Sequence, residues 1–291
     1  MIEPWRKVRC DGPRMNPGGG GVNVARAVLE LGGDPLAVVA LGGHVGSLLA
    51  DSLRRSGVAL HRISARGATR QNFAVTERTS GKQYRFVHGG ARMSFAEWTR
   101  CLEATVEAAA HAACVVASSS LPPGVPVDAF AVLASRLEPL GIPIIIDTSG
   151  PALLAAMKAP VDLVKPSVNE LRAVAGRALT CNEHYEAAAR ALLRSGHCKT
   201  VAVSLGGEGA LFVPRDDDSF VVRAPEVRAV STTGAGDSMV AGIAMSLARG
   251  DTLIDAARLG VAAGTAAVLA QGTSLCRRDD VLSLLAHTMV S

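Results

Sequence analysis

The stretch that decides the fold is residues 231–250, STTGAGDSMVAGIAMSLARG, a glycine-rich turn followed by an apolar helical run. Gly234 and Gly236 let backbone amides approach an oxyanion closely, and the predicted helix adds the partial positive charge of its N-terminus. Asp237 falls in the first turn of that helix, where the dipole favours its ionised form. Such a turn suits phosphoryl transfer, because the amides stabilise charge and the aspartate accepts the hydroxyl proton. An ordinary glycine turn capped by aspartate is the alternative that this motif alone leaves open.

Composition narrows the classes of protein that the chain can belong to. Its 291 residues suffice for one large α/β domain or two small ones, and 48% of them are hydrophobic. A net charge of +4 and an aromatic content of 3% argue against nucleic-acid binding. We expect no membrane association and a cytoplasmic location, because neither a long apolar run nor a signal peptide is present. The six cysteines form no CxxC pair, which predicts reduced thiols and no structural metal.

From about residue 110 onward, short β-branched runs alternate with helical patterns. The predicted strands are CVVAS (114–118), IPIIID (142–147), DLVK (162–165), TVAVSL (200–205) and ALFV (210–213). The predicted helices cover about 126–140, 167–176 and 183–195, and three more follow between 234 and 290. This alternation is typical of βαβ units, with a parallel sheet and helices on both of its faces.

Two features stand out in the N-terminal third. The glycines at 18–21 precede VNVARAVLELGG (22–33), whose apolar residues recur at helical spacing up to a stop at Gly32. A glycine run that opens a helix allows close approach of a ligand, although a flexible linker has the same composition. Residues 70–90, RQNFAVTERTSGKQYRFVHGG, alternate on either side of a turn at 79–81. They predict an exposed hairpin that serves as a lid or an interaction flap.

Ten motifs in the right order resemble the ribokinase-type family of sugar kinases. They are KVRC (7–10), PGGGGVNVARA (17–27), TRQN (69–72), SGKQYRFV (80–87), SLPPGV (120–125), DTSG (147–150), KPSVNEL (165–171), VSLGGEGAL (203–211), STTGAGDSMV (231–240) and GVAAGTAAVLAQGT (260–273). The resemblance implies a three-layer α/β/α fold with a mostly parallel central sheet and a small β lid. Residues 18–65 and 92–291 would form the catalytic domain, and residues 1–17 and 66–91 a lid through which two copies form a homodimer.

The resemblance also implies a role for individual residues of these motifs. The catalytic base would be Asp237, and the anion hole would be formed by Gly234, Ala235 and Gly236. Residues expected to bind the sugar phosphate are Lys7, Arg9, Gly19, Gly20, Asn23, Arg70 and Ser119. Residues expected to bind ATP are Lys165, Ser167, Ser204, Gly206, Gly209, Thr232 and Gly264. Glu170 would organise Mg²⁺ through water. A solvated basic terminus is the alternative for Lys7 and Arg9, and plain helix packing is the alternative for Gly264.

The chain departs from the family pattern in two places. Ser167 stands where the family has Asn, and the shorter serine is expected to weaken the phosphate and metal box. Family members also have a β-strand, an Asn-Pro-type turn and a sugar-binding aspartate upstream of the segment that matches Lys7. We therefore expect the N-terminal strand to be missing and its groove to be uncovered. A start site placed too far downstream and a compromised remnant both fit this departure.

The motifs favour an ATP-dependent, Mg²⁺-requiring kinase that phosphorylates fructose 6-phosphate at its 1-hydroxyl in glycolysis. Within the family, the motifs TRQN and KVRC favour fructose 6-phosphate as the substrate. The alternatives are a 1-phosphofructokinase, a tagatose-6-phosphate kinase, or a catalytically weak protein that binds a sugar phosphate or a nucleotide.

Overall fold

The computed structural model describes residues 5, 7–13, 15–80 and 82–291. The helices are α1 Gly20–Glu30, α2 Gly43–Arg55, α3 Phe95–Ala109, α4 Ala129–Leu137, α5 Gly150–Ala156, α6 Val168–Ala175, α7 Asn182–Arg194, α8 Ala235–Leu247, α9 Leu253–Leu269 and α10 Arg278–Leu285. The strands are β1 Leu36–Leu41, β2 Ala59–Ser64, β3 Phe73–Thr76, β4 Gln83–Phe86, β5 Val115–Ser118, β6 Ile144–Asp147, β7 Leu163–Val164, β8 Thr200–Ser204, β9 Ala210–Pro214, β10 Phe220–Arg223 and β11 Met289–Val290.

The central sheet has seven strands in the order β11-β10-β9-β8-β7-β6-β5. The strands from β5 to β8 run parallel, whereas β9 runs antiparallel to β8, β10 to β9 and β11 to β10. The prediction of a parallel sheet therefore does not extend to β9. Only residues 205–209 separate β8 from β9, and so short a connection permits a hairpin but no crossover.

The five strands and the helices predicted beyond residue 110 are confirmed. A short 3-10 turn, Glu138–Leu140, continues α4 as the pattern near 126–140 suggested. The predicted helix after the glycine run is α1, and the predicted hairpin is β3–β4. The sequence patterns predict neither the strands β1, β2, β10 and β11 nor the helices α2, α3 and α5.

Alternate side chains of the buried strands separate two cores, as a sheet covered on both faces requires. Ile145 of β6 packs with Phe212 and the small residues of α8 and α9. Its neighbours Ile144 and Ile146 point to the other face and pack among residues of α4, α5, α6 and α7. The three-layer α/β/α architecture is therefore confirmed, with the sheet as its middle layer.

Glycines bring α8 and α9 into close contact. A Cβ built on Gly242 would lie 2.7 Å from the carbonyl oxygen of Leu259, and one built on Gly260 would lie 2.6 Å from a side-chain carbon of Ile243. The small-residue stretch 259–272 thus packs against α8, the helix that begins at the glycine-rich turn. This contact fixes the position of α8 above the sheet.

The sheet is interrupted between β5 and β1. Strands β1 and β2 form a separate two-stranded parallel sheet, and β1 and β5 line the same groove of about 2310 Å³. Helix α1 starts beside Ser118, at the carboxyl end of β5, and the chain turns at its far end into β1, so β1 and β5 point the same way. No described residue forms a strand between them.

Within the described part of the chain, no helix combines the length and the apolar character needed to cross a membrane.

Candidate active site

The glycine turn before α8 forms an open helix N-terminus. Gly234 caps the helix with φ +80°, and a Cβ at this position would lie 2.6 Å from a side-chain carbon of Leu275. Both the backbone conformation and the lack of space therefore require glycine here. The amides of the first turn, from Ala235 to Asp237, have no carbonyl partner within the helix, as at every helix start. An anion placed here receives amide hydrogen bonds and lies at the positive end of the helix dipole.

Asp237, in the first turn of α8, receives a hydrogen bond from the start of another helix. Nδ2 of Asn23, in the first turn of α1, donates to Oδ2 of Asp237 over 2.8 Å. Burial raises the pKa of Asp237 above its ordinary value, and the Asn23 hydrogen bond and the charge of Lys165 oppose this rise. With Oδ2 held by Asn23, Oδ1 is the oxygen that can accept a proton from a substrate hydroxyl.

A buried ion pair lies below residues 234–237, which we call the anion-binding turn. Nζ of Lys165, directly after β7, is 3.2 Å from Oδ1 of Asp147 at the end of β6, with side-chain exposures of 6% and 15%. A Cβ built on Gly236 would be 3.4 Å from this Nζ, which places the ammonium beside the anion-binding turn. The pKa of Asp147 is raised to about 6, chiefly by burial; Lys165 opposes this rise, and the nearby Asp237 and Glu170 add to it.

On the side of Asn23 opposite Asp237, the groove lined by β1 and β5 has polar and cationic side chains in its walls. Gly19 caps α1 with φ +113°, and Gly20 lies so close to Ser118 that a Cβ there would be 2.3 Å from the serine Oγ. Arg70 lines the groove, and its Nη2 donates to Oγ of Ser120 over 3.4 Å. Ser119 lies beside it, and its amide donates to the carbonyl of Asp147.

The β3–β4 hairpin reaches the anion-binding turn within the same chain. Nη2 of Arg85, on β4, donates to Oγ1 of Thr233 over 2.6 Å, directly before Gly234. Phe73 of β3 packs edge-to-face on His88, with ring centroids 5.9 Å apart. A cationic side chain of the hairpin thus lies next to the turn.

Four of the residues predicted to bind ATP, Lys165, Ser167, Ser204 and Gly206, lie at the carboxyl ends of β7 and β8. Ser167 pairs with Ser204 in an isolated parallel bridge. Ser167 also caps α6. Its amide and Oγ both donate to Oε2 of Glu170, over 2.7 and 2.9 Å, and the amide of Glu170 donates back to Oγ. The Ser-x-x-Glu pattern is therefore a capping box, which fixes the start of α6.

The family model for pfkB family carbohydrate kinases matches residues 2–280 of this chain. The chain belongs to the pfkB family of carbohydrate kinases. It is 45% identical over 281 residues to the ATP-dependent 6-phosphofructokinase isozyme 2 of Mycobacterium tuberculosis, covering 97% of this chain and 82% of that protein. It is 43% identical over 288 residues to the isozyme 2 of Escherichia coli, covering 99% and 93%. To the 1-phosphofructokinase of Escherichia coli it is 33% identical over 277 residues, covering 94% and 86%.

Solved structures agree with this assignment. Phosphofructokinase-2 of Escherichia coli in complex with potassium matches with a TM-score of 0.92 and 41% identity, covering 99% of this chain and 93% of that one. The same enzyme in complex with fructose 6-phosphate matches with a TM-score of 0.89 and 40% identity, covering 98% and 92%. The ribokinase-like fold of this pfkB kinase and its class, a phosphotransferase acting on an alcohol group, are thereby established.

The structure brings together many of the residues predicted for the pfkB site. Asn23 contacts Asp237 directly, and Gly19, Gly20, Arg70 and Ser119 line the adjoining groove. Lys165 lies beside Gly236, the residue before Asp237. The exposed Thr232 precedes the turn. The roles assigned to these residues remain predictions.

Other predicted residues have a different environment from the one expected. Lys7 and Arg9 are exposed and are not among the described residues that line the groove. A Cβ on Gly209 would lie 2.0 Å from the carbonyl oxygen of Val222, so this glycine allows β10 to approach. A Cβ on Gly264 would lie 3.3 Å from the carbonyl of Ala235, which makes helix packing its observed role. Gly206 has φ +66° and shapes the turn after β8.

Sequence reasoning gave no role to two polar residues of this region, Asp147 and Arg85. Asp147 belongs to the DTSG motif and ends a predicted buried strand, where side chains of parallel sheets form ligand sites. That position was the available signal. Arg85 lies in the predicted hairpin, but its partner Thr233 is far away in sequence, and no local pattern links the two.

Proposed function

We propose that this pfkB kinase is an ATP-dependent 6-phosphofructokinase, which transfers the γ-phosphoryl group of ATP to the 1-hydroxyl of fructose 6-phosphate. The observation that carries the proposal is the contact of Asn23 with Asp237 at the first turn of α8. Through this contact, the proposed base Asp237 and the anion-binding turn lie next to the groove that Arg70 lines. The higher identity to 6-phosphofructokinases than to the 1-phosphofructokinase supports the choice of sugar phosphate.

The proposed reaction uses groups of this chain for the proton and for the charge. Oδ1 of Asp237 accepts the proton of the sugar 1-hydroxyl, and the hydroxyl oxygen forms a bond to the γ-phosphorus. The bond from that phosphorus to the oxygen bridging to the β-phosphate breaks, and ADP leaves. The amides of Ala235, Gly236 and Asp237 bind the negative charge of the phosphoryl group in transit.

Mg²⁺ fits the residues present only together with the ATP phosphates. Among the residues that the structure describes, no three His, Cys, Asp or Glu side chains form a metal cluster. Magnesium keeps several waters and uses one or two carboxylates plus phosphates, so a complete protein cage is not needed. Glu170, whose Oε2 is held by Ser167, would contribute through Oε1 and water. When bound, the ion neutralises charge on the phosphates.

We assign residues 66–91, which include the hairpin, and residues 1–17 to the lid and dimer flap; residues 1–4, 6, 14 and 81 lie outside the described part of the chain. Phe73, Phe86 and Val87 expose 53%, 52% and 71% of their surface, which is a large apolar area for a short hairpin. A second copy of this chain would cover it. The Arg85–Thr233 hydrogen bond supports closure of the hairpin over the anion-binding turn, which excludes water from the reaction.

ADP release measured over a panel of sugar phosphates tests the proposed function. We expect the highest kcat/KM with fructose 6-phosphate. A preference for fructose 1-phosphate or tagatose 6-phosphate would support the corresponding alternative kinase. ADP release with none of them would leave the catalytically weak binding protein.

Arg70 provides a test of the phosphate contact. Because a charge-assisted hydrogen bond contributes about 1.5–3 kcal/mol, Arg70→Ala should raise the KM for fructose 6-phosphate about tenfold or more and leave the KM for ATP unchanged. Arg62→Ala is the matched control, since Arg62 is exposed on β2 and is not among the described residues of the groove. Equal effects on both substrates would indicate a general defect of the lid or the fold.

A further inference from the structure

The ion pair below the anion-binding turn is formed by the ends of two neighbouring parallel strands. Asp147 ends β6 and Lys165 directly follows β7, and the two strands pair in parallel with Ile146 opposite Val164. Their side chains meet at 3.2 Å. The amide of Lys165 donates to the carbonyl of Ile146, which fixes the backbone on both sides of the pair.

Lys165 is too deeply buried to be held by solvent. With 6% of its side chain exposed, the ammonium depends on Asp147 as the carboxylate within salt-bridge distance. Its Nζ would be 3.4 Å from a Cβ on Gly236, so it lies beside the second residue of α8.

We propose that Asp147 is a positioning residue of the phosphoryl-transfer site, which holds the Lys165 ammonium beside the amides of the anion-binding turn. The positive charge of Lys165 then adds to the charge of the helix N-terminus at the place where the transferred group passes. This inference rests on the proposed function and names a residue to which that function alone assigns no role.

The surroundings of Asp147 support a positioning role over that of a proton acceptor. The charged groups that face it are Lys165 after β7, Asp237 on α8 and Glu170 on α6. Its side chain binds Lys165, and it is Asp237 that Asn23 contacts from the groove side. Asp147 thus acts through Lys165 and does not compete with Asp237 for the hydroxyl proton.

The experiment compares Asp147→Asn with a matched ion-pair variant at the amino ends of β7 and β8. Lys199 and Asp162 form a pair at 2.8 Å near the amino end of β7, away from the turn, with Lys199 largely exposed. We expect Asp147→Asn to lower kcat about tenfold or more, because misplaced charged groups cost rate steeply, and to leave the KM for fructose 6-phosphate within twofold. Asp162→Asn should keep kcat within twofold.

A double-mutant cycle separates positioning from folding. In the Lys165→Met background, Asp147→Asn should cause no further loss of kcat, since its effect passes through the missing ammonium. An undiminished loss in that background, or wild-type kcat in Asp147→Asn alone, would overturn the proposal. If Asp147→Asn does not fold, Asp147→Glu keeps the charge but moves the ammonium. It should lower kcat, and wild-type kcat would contradict the proposal.

Failure of the proposed function is recognised separately. It would show as absence of sugar-phosphate-dependent ADP release in the wild-type protein, before any variant is compared. Calorimetric titration with a nonhydrolysable ATP analogue then still tests the ion pair. Asp147→Asn should weaken this binding and leave the binding of adenosine unchanged, and equal binding of the analogue by both proteins would argue against the role of Asp147.

Discussion

At the scale of single residues, chemistry is concentrated where α1 and α8 both begin. Asn23 and Asp237 each lie in the first turn of a helix that a glycine caps, so two helix starts meet at one hydrogen bond. The glycine caps are needed for approach and for backbone conformation, and the polar residues after them are those to which we assign the reaction. Two variants address this arrangement.

Asp237→Asn should lower kcat by about 10²-fold or more, because the carboxylate that takes the substrate proton is lost. Nucleotide affinity should change little, since the amides of the turn remain. Steady-state kinetics and nucleotide titration check this. Asp280→Asn is the matched control, because Asp280 holds the same place in the first turn of α10. Near wild-type turnover of Asp237→Asn would remove this residue from the mechanism.

Asn23→Ala should shift the pH dependence of kcat. The Asn23 hydrogen bond stabilises the ionised form of Asp237 and lowers its pKa, so its loss lets the pKa rise further. The base works only when ionised, and activity falls as the pH drops through this pKa. The acidic limb of the pH–rate profile should therefore move to higher pH. An unmoved limb would show that Asn23 contacts the substrate without tuning the base.

At the scale of elements, two helices begin with the same kind of capping box. Comparing them distinguishes the effect of a helix cap on stability from its effect on catalysis. Helices α3 and α6 both begin with a complete capping box, Ser94 with Glu97 and Ser167 with Glu170. The α6 box lies at the nucleotide side, among the predicted ATP-binding residues, and the α3 box carries none of the predicted site residues.

Ser167→Ala and Ser94→Ala should each cost about 1 kcal/mol of stability, because each removes a helix cap. Only Ser167→Ala should change the Mg²⁺ concentration for half-maximal rate, since Glu170 loses its fixed position. Thermal melts and metal titrations of the activity measure the two effects.

Ser167→Asn should lower the Mg²⁺ concentration required for half-maximal rate. Asparagine is also a good N-cap, and its longer amide reaches further toward a metal-bound water or phosphate. The melting temperature should stay close to that of the wild type. An unchanged or higher Mg²⁺ requirement would mean that the site has adapted around serine.

The sequence predicted the elements whose patterns are local. Buried strands such as β6 read as β-branched runs, and α8 follows directly from its glycine turn. Strand β1, LAVVAL, is a short apolar run whose periodicity does not distinguish a strand from a buried helix. The direction of β9 depended on the length of one connection. Contacts such as Arg85 with Thr233 and Lys165 with Asp147 arise from topology, and no local pattern encodes them.

At the scale of the whole molecule, the groove between β1 and β5 is the feature with the largest energetic consequence. Both strands point the same way and present edge amides and carbonyls to the apolar part of the groove that they line. Unpaired backbone groups and uncovered apolar surface are unfavourable in a buried position. An extended segment between the strands would join both sheets into one.

An N-terminal extension that adds a strand of about five or six β-branched residues should raise the melting temperature of this chain. It should also strengthen fructose 6-phosphate binding if an aspartate follows the added strand, because the resemblance places a sugar-binding aspartate there. A glycine-serine extension of equal length is the control. Thermal melts and sugar-phosphate titrations of the variants provide the measurement, and equal values for all of them would show that the groove needs no strand.

The separation of β1 and β2 from the main sheet has a consequence for slow amide exchange. No described residue links the two sheets by backbone hydrogen bonds, whereas α1 packs on β1, on β5 and on α8. The β1–β2 unit can therefore open locally at a lower free energy than the central strands β6 to β8. Such an opening loosens the helix that carries Asn23. A ligand that holds Asn23 against Asp237 should accordingly protect the amides of β1 and β2 from deuterium.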